Sequence, residues 1–266
     1  MNQRSSASID HAGVRLRCAR SGAGGPTAVL IHELGGSLES WDLVAPGLEA
    51  AMQVVRYDQR GHGGSSAVRA PYALADHAGD LQAIVAELAA PCWLVAAAAG
   101  AAIAVEFAVR APDRVAGLVL CAPALEVDPA RRRYLRDRAD LATRDGMAAV
   151  ADATLAQSWP AMLRGDGQAF ARYRQRLLAG DPIGYALANR AFCDIDLAAR
   201  LPALARPSLW LAGEHDLQRP PARVAALAAG VPGVTFAVVS AGHLMAVQRP
   251  AEVIARTLAF IAGSRP

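Results

Sequence analysis

Residues 93–110 read WLVAAAAGAAIAVEFAVR, and this stretch decides the fold. The run 93–97 is short and wholly apolar, as expected of a strand buried on both faces. From 100 to 110, Ile103, Val105, Phe107 and Ala108 predict a helix, which Pro112 stops. Only Ala98 and Ala99 lie between the two. The same texture recurs on either side. Residues 27–32 (TAVLIH), 53–57, 115–121 (VAGLVLC), 208–212 and 234–239 read as further strands. Residues 76–88, 220–229 and 251–262 read as helices, and 7–12 with 14–19 as a hairpin about Gly13. Short apolar strands alternating with helices predict an α/β fold with a mostly parallel central sheet and helices on both faces. Between 126 and 206 no buried strand appears and the chain is helical and rich in arginine. The expected organisation is a core of residues 1–125 and 207–266 carrying a helical cap, 126–206, inserted between two neighbouring strands.

Composition narrows the function classes. Of 266 residues 61 are alanine, so the hydrophobic fraction of 53% is inflated, yet it lies far from that of a disordered chain. The net charge of +3 and the lack of basic runs beyond Arg131-Arg132-Arg133 argue against a nucleic-acid partner. No stretch of about 18 apolar residues without a charge is present, so no membrane span is expected. The opening MNQRSSASIDHAG has no apolar leader core. Cys18, Cys92, Cys121 and Cys193 are scattered. They read as buried thiols of a reducing compartment, hence cytoplasmic, and not as a metal site or disulfide frame. All 27 basic residues are arginine. Residues 126–206 hold 13 Arg against 10 Asp and Glu, and the remainder 14 against 14, so the whole excess sits in the insertion. Most of these arginines read as a solvated face. The sharper alternative is that one or two point into a cleft and hold a carboxylate.

Four segments follow predicted strands, where open α/β sheets place their sites. They are His32-Glu33-Leu34-Gly35-Gly36, Asp58-Gln59-Arg60-Gly61-His62-Gly63-Gly64-Ser65, Gly213-Glu214-His215-Asp216 and Gly242-His243. In this order and spacing the chain resembles the α/β-hydrolases over nearly its whole length. Within them it resembles the 3-oxoadipate enol-lactonase-like branch, through YDQRGHGGSS, Pro71-Tyr72, LVLCAPAL, DPIGYALANRAFCDIDL and LAGEHD.

The resemblance implies a nucleophile on a strand-to-helix elbow, G-x-S-x-G, with partners in the order Ser, acid, His. Aligning Gly100 with the second glycine puts Ala98 at the nucleophile position, and Ala96 replaces the first glycine. His243 matches the general base and Asp216 the acid that orients it, with Asp196 and Glu214 weaker substitutes. The backbone N–H groups of Leu34 and Ala99 match an oxyanion hole, which survives side-chain changes. His62 reads as a turn-packing residue rather than a catalyst. Glu33 stands where the family has glycine; it either hydrogen-bonds locally or holds a substrate donor or a water. Trp159 and Tyr185 either line the substrate pocket or pack within the cap. No metal or organic cofactor is implied.

No other serine rescues the motif. Ser37, Ser65, Ser66 and Ser240 lack its spacing, and Cys92 is on the wrong side of the turn. Losing this serine removes on the order of 10⁶-fold in rate. The expectation is a serine-type hydrolase of a small ester or lactone, inactivated by alanine at position 98. A carboxylated substrate is compatible with the basic cap. Two alternatives stay open: a carbon–carbon bond hydrolase of the same fold, and a natural pseudo-hydrolase that binds its ligand or uses His243 to activate water or move a proton. Monomer and homodimer are both compatible with the sequence.

Overall fold

The computed structural model describes residues 5–22, 24–165 and 167–264. Residues 1–4, on which the leader reading partly rests, and Asp166 of the insertion lie outside the described residues. Two strands, β1 (Ser5–His11) and β2 (Val14–Ser21), form an antiparallel hairpin. Its two-residue turn, Ala12-Gly13, has positive φ at both positions, the twist that matches a hairpin. Then come β3 (Thr27–Ile31), β4 (Gln53–Tyr57), β5 (Cys92–Ala97), β6 (Val115–Cys121), β7 (Ser208–Gly213) and β8 (Val234–Val239). They form one sheet in the order β1-β2-β4-β3-β5-β6-β7-β8. From β4 to β8 every neighbouring pair is parallel, and β2 joins β4 antiparallel.

Strand period decides which side chain goes to which face. In β5, Leu94 and Ala96 enter one apolar cluster, and Trp93, Val95 and Ala97 enter the other. The first cluster is covered by α2 (Leu74–Ala86), α3 (Ala99–Arg110) and α8 (Pro221–Ala228). The second is covered by α1 (Ala45–Leu48), α9 (Met245–Gln248) and α10 (Pro250–Gly263). Every residue of β5 and β7 is buried, which is why their sequences are apolar without alternation.

Between β6 and β7 lie α4 (Pro129–Asp145), α5 (Ala148–Ser158), α6 (Gln168–Leu178) and α7 (Pro182–Phe192). Two of them start with the same device. The side chains of Asp128 and Asp181 accept backbone N–H bonds from Arg131 and Ile183, with proline next in the chain. These helices have their own apolar cluster around Leu155, Trp159, Tyr173 and Tyr185, which Leu244 and Val247 join from the segment after β8. Many of the insertion's arginines do form a solvated face. Arg132 and Arg136 pair with Asp194, Arg174 with Asp152 and Arg190 with Asp140. Exposed pairs of this kind contribute about 0–1 kcal/mol each. All four cysteines are buried free thiols, and burial pushes Cys92 and Cys121 up to about 12. No helix among the described residues is long and apolar enough to cross a membrane.

The loop after β4 is fixed by His62, whose Nε2 accepts from the Gly35 amide at 3.2 Å while Nδ1 meets the Arg60 carbonyl at 3.1 Å. Burial first, and His32 second, push this imidazole down from 6.5 to about 4. The folded state therefore holds it neutral, while the unfolded chain takes up a proton as pH falls through 6.5. That stability is complete above 6.5 and declines as pH falls towards 4. Between pH 7 and pH 5 urea unfolding is expected to show a loss about 2 kcal/mol larger in the native sequence than in His62→Gln. Equal losses in the two proteins would contradict this assignment.

Candidate active site

The loops after β3, β5, β7 and β8 converge at one end of the sheet. The elbow after β5 is the tightest. Ala98 is held at φ 49°, ψ −114°, a region that residues with a side chain rarely enter. Its N–H donates to the Cys121 carbonyl at 2.8 Å, and its carbonyl accepts from Ala101 and Ala124, each at 3.1 Å. The elbow is thus tied to the end of β6 and to the first turn of α3. Gly100 lets that turn approach β3; a Cβ there would lie 2.6 Å from the His32 carbonyl oxygen and 2.7 Å from that of Ile31.

The Ala99 N–H opens helix α3 and has no acceptor among the described residues, nor does the Leu34 N–H. The segment carrying Leu34 is rigidly held. His32 is fully buried, and its Nε2 accepts from the Gln59 amide at 3.0 Å. Its Nδ1 therefore carries the proton and donates to the Glu33 carbonyl at 2.7 Å. Gln59 Nε2 also donates to the His32 carbonyl at 2.5 Å.

The loops after β7 and β8 are zipped together: Glu214 N donates to the Val239 carbonyl at 2.8 Å, and His215 N to that of Ala241 at 2.9 Å. This sets Asp216 Oδ2 2.8 Å from His243 Nδ1. Asp216 Oδ1 accepts from the backbone N–H groups of Gln218 and Arg219, at 2.7 and 2.9 Å. Burial by itself would raise this carboxyl, but His243 and the two amides outweigh it and hold Asp216 below the usual carboxylate range. The ring nitrogen not used by Asp216, Nε2, has no partner among the described residues, and His243 lines a cleft together with Ala98, Ala99 and Leu34. A base, two free amide donors and the elbow thus face one space. It encloses about 720 Å³ of atom-free volume, part of it open to solvent.

The far wall of the cleft is cationic. Arg131, Leu135 and Arg138 of α4 line it, together with Arg219. Arg131 donates to Gln157 and Gln218. Arg138 donates to Asn189 Oδ1 from Nε at 2.8 Å and Nη2 at 2.5 Å, and Arg219 donates to the Glu126 and Gln218 carbonyls. The Arg219 Nε is buried without a partner. None of the three has a carboxylate partner among the described residues. Burial, with repulsion from Arg138 among the causes, brings Arg131 down to about 10, and burial followed by Arg223 lowers Arg219.

The other sequence candidates separate. Trp159 does not line this cleft: it is 1% exposed, its indole N–H donates to the Leu163 carbonyl at 3.0 Å, and it packs on Phe170 and Tyr173. Tyr185 faces a second cleft, between α6 and the loops at 35–40 and 61–67, where Gly35 leaves room for its ring. Glu33 does line the first cleft, but its Oε1 accepts from Ser40 Oγ at 2.7 Å and from the Tyr173 hydroxyl at 2.6 Å. Glu33 thus has one nearby partner, Ser40, and one 140 residues away. Tyr173 and Leu177, which line both clefts, escaped the sequence reading. So did the particular arginines. The signal was there in part: 131, 135 and 138 lie on one face of a helix.

The family described as alpha/beta hydrolase fold matches residues 26–250. RutD of Variovorax paradoxus, named for carbamate hydrolysis, is 32% identical over 258 residues, covering 90% of this chain and 93% of that protein. A thermophilic esterase from Thermogutta terrifontis, with malate bound, superposes at TM-score 0.91 with 25% identity, covering 99% and 100% of the two chains. The enol-lactonase from Burkholderia xenovorans LB400 superposes at TM-score 0.90 with 28% identity, covering 97% and 100%. The chain spans only 30% of another relative, the dihydrolipoyllysine-residue acetyltransferase component of an acetoin cleaving system of Cupriavidus necator, with 37% identity over 112 residues.

An alanine at the elbow bears backbone strain of about 1–3 kcal/mol that glycine would not. Set against the entropy and lost methyl contacts of glycine, Ala98→Gly is expected to raise unfolding stability by about 1 kcal/mol in urea titration. A loss of that size instead would mean that the elbow is unstrained.

Proposed function

Since the chain belongs to the α/β-hydrolase family, we propose that its cleft is that of a serine-type hydrolase of small carboxylated esters or lactones, with alanine where the nucleophile would stand. The observation that carries this reading is a single convergence: the strained Ala98 elbow, the free Nε2 of a His243 held by Asp216, and two unengaged amides all face one cleft. In the serine form, a hydroxyl on the Cβ of residue 98 attacks the substrate carbonyl while His243 Nε2 takes its proton. The buried charge of Asp216 stabilises the imidazolium that forms. The carbonyl oxygen, now negative, accepts from the Leu34 and Ala99 amides, donors already fixed in place. His243 returns the proton to the leaving oxygen and then activates the water that releases the acid. Every role but the nucleophile's falls to a side chain or backbone amide of this chain.

The three arginines without acid partners suit a substrate carboxylate, because a planar guanidinium binds one with fixed geometry. The similar esterase structure with malate bound supports that choice. Residues 126–206 act as the cap that shapes the pocket, over a core of 1–125 and 207–266. Alanine at 98 leaves nothing to form an acyl-enzyme, so this chain is inactive towards esters, apart from the residual rate that binding and the amides supply.

Ala98→Ser is expected to gain hydrolysis of p-nitrophenyl acetate and of enol-lactones by on the order of 10³-fold or more. Adding His243→Ala to that variant removes the gain. A folded Ala98→Ser protein without activity on any ester or lactone would sink the reading.

A further inference from the structure

We propose that the chain as it stands, with alanine at 98, catalyses proton transfer at carbon in small oxo-carboxylic acids, a reaction that needs no nucleophile. Losing the hydroxyl removes one group and leaves the others in working order. His243 keeps its Asp216 hydrogen bond at 2.8 Å and an open Nε2, so the base is oriented and unoccupied. In a serine enzyme the nearest proton for that nitrogen is the hydroxyl's. Here the elbow offers only a methyl, and the nearest acidic hydrogen is whatever the ligand presents.

The remaining groups suit a carbon acid. A C–H next to a carbonyl becomes acidic only if the enolate oxygen is stabilised, and the Leu34 and Ala99 amides are donors without acceptors on the same cleft. An oxo acid carries a second negative charge, on its carboxylate. Three cationic side chains, Arg131, Arg138 and Arg219, line the cleft; of the nearby carboxylates, Asp216 is held by His243 and two backbone amides, and Glu33 Oε1 accepts from Ser40 and Tyr173. The resting cleft therefore has cations that no acid of the chain pairs with, and a ligand that becomes dianionic in the transition state compensates them. The elbow strain adds a separate observation. Ala98 stays at φ 49° although it has no oxygen to present, and the peptide so held is the one whose next N–H, that of Ala99, faces the cleft.

The step balances without another reactant. Nε2 takes the α-proton, and the C–H electron pair moves into the carbon–carbon bond of an enolate whose oxygen accepts from the two amides. The imidazolium exchanges its proton with solvent, and the pair returns to carbon as carbon takes the solvent-derived proton from Nε2. The products are exchanged substrate or, where a neighbouring double bond is conjugated, its shifted isomer. Positioned general bases supply about 10²–10⁴-fold. The reaction shares the base and the amides with the hydrolase reading but breaks a different bond.

The test uses the unaltered protein in deuterium oxide, with 2-oxopentanoate as probe, 2-pentanone as the uncharged control, and proton NMR of the hydrogens next to the carbonyl. Exchange is expected at least 100-fold above buffer for the oxo acid and near buffer for the ketone. His243→Ala and Asp216→Asn should lower kcat, and Arg131→Gln should raise KM with kcat nearly unchanged. No exchange above buffer, or exchange that persists in a folded His243→Ala protein, overturns the proposal. Ketone exchange as fast as that of the oxo acid overturns the role given to the arginines. Ester hydrolysis by Ala98→Ser is read separately, so failure here leaves the hydrolase reading to its own test.

Discussion

The site depends on keeping a buried carboxylate charged. Asp216 is 3% exposed, an environment that would ordinarily neutralise it. Three contacts reverse that: the His243 ring and the amides of Gln218 and Arg219. The two amides come from the β7 loop itself, but the His243 contact requires the loops after β7 and β8 to run side by side, and they do so because the two strands are parallel neighbours that end together. The sheet thus delivers the charge, the charge fixes the imidazole, and the imidazole faces the cleft. The insertion takes part as well. The His243 amide donates to the Ser158 carbonyl at 3.1 Å, so the end of α5 clamps the loop that carries the base. Trp159, next in the chain and in the core of the insertion's apolar cluster, anchors that clamp.

A second constraint comes from the elbow. Strain at Ala98 is stored by a fully paired backbone and by the close approach of Gly100 to β3. Its consequence is the direction of the Ala99 amide, which would otherwise be absorbed into an ordinary helix start. The cleft thus joins a strained elbow, an unengaged amide and an oriented imidazole to a wall that carries Arg131, Arg138 and Arg219. Arginines with no acid partner in a partly buried cleft are costly unless something anionic joins them, which makes the ligand's charge the property the cleft selects most directly.

Much of the fold was legible because burial writes itself into strand composition. The strands at 53–57, 115–121 and 234–239 have the predicted bounds, and the remaining elements differ by a residue or two where caps and turns compete. Asp216 and His243 were legible because a short loop after a buried strand leaves little freedom in where its residues go. Whether Trp159 and Tyr185 line a pocket or pack within the cap stayed open in the sequence because a helical insertion has several buried faces, and periodicity does not say which one meets the core. Tyr173 was missed for a related reason: its partner, Glu33, is 140 residues away. The arginine excess was visible as a sum, but only the packing of α4 and α5 separates Arg131 and Arg138, which face the cleft, from Arg132 and Arg136, which pair with Asp194 at the surface.

The central claim is that the cleft binds a small anion with its carbonyl on the two amides and its carboxylate on the arginines. The most direct test is a crystal structure of this chain soaked with the monomethyl ester of a short dicarboxylic acid. The account predicts the ester carbonyl oxygen within about 3.2 Å of the Leu34 and Ala99 nitrogens, and the carboxylate in contact with Arg131, Arg138 or Arg219. A ligand that binds in the reverse orientation, or only in the second cleft beside Tyr185, would contradict it.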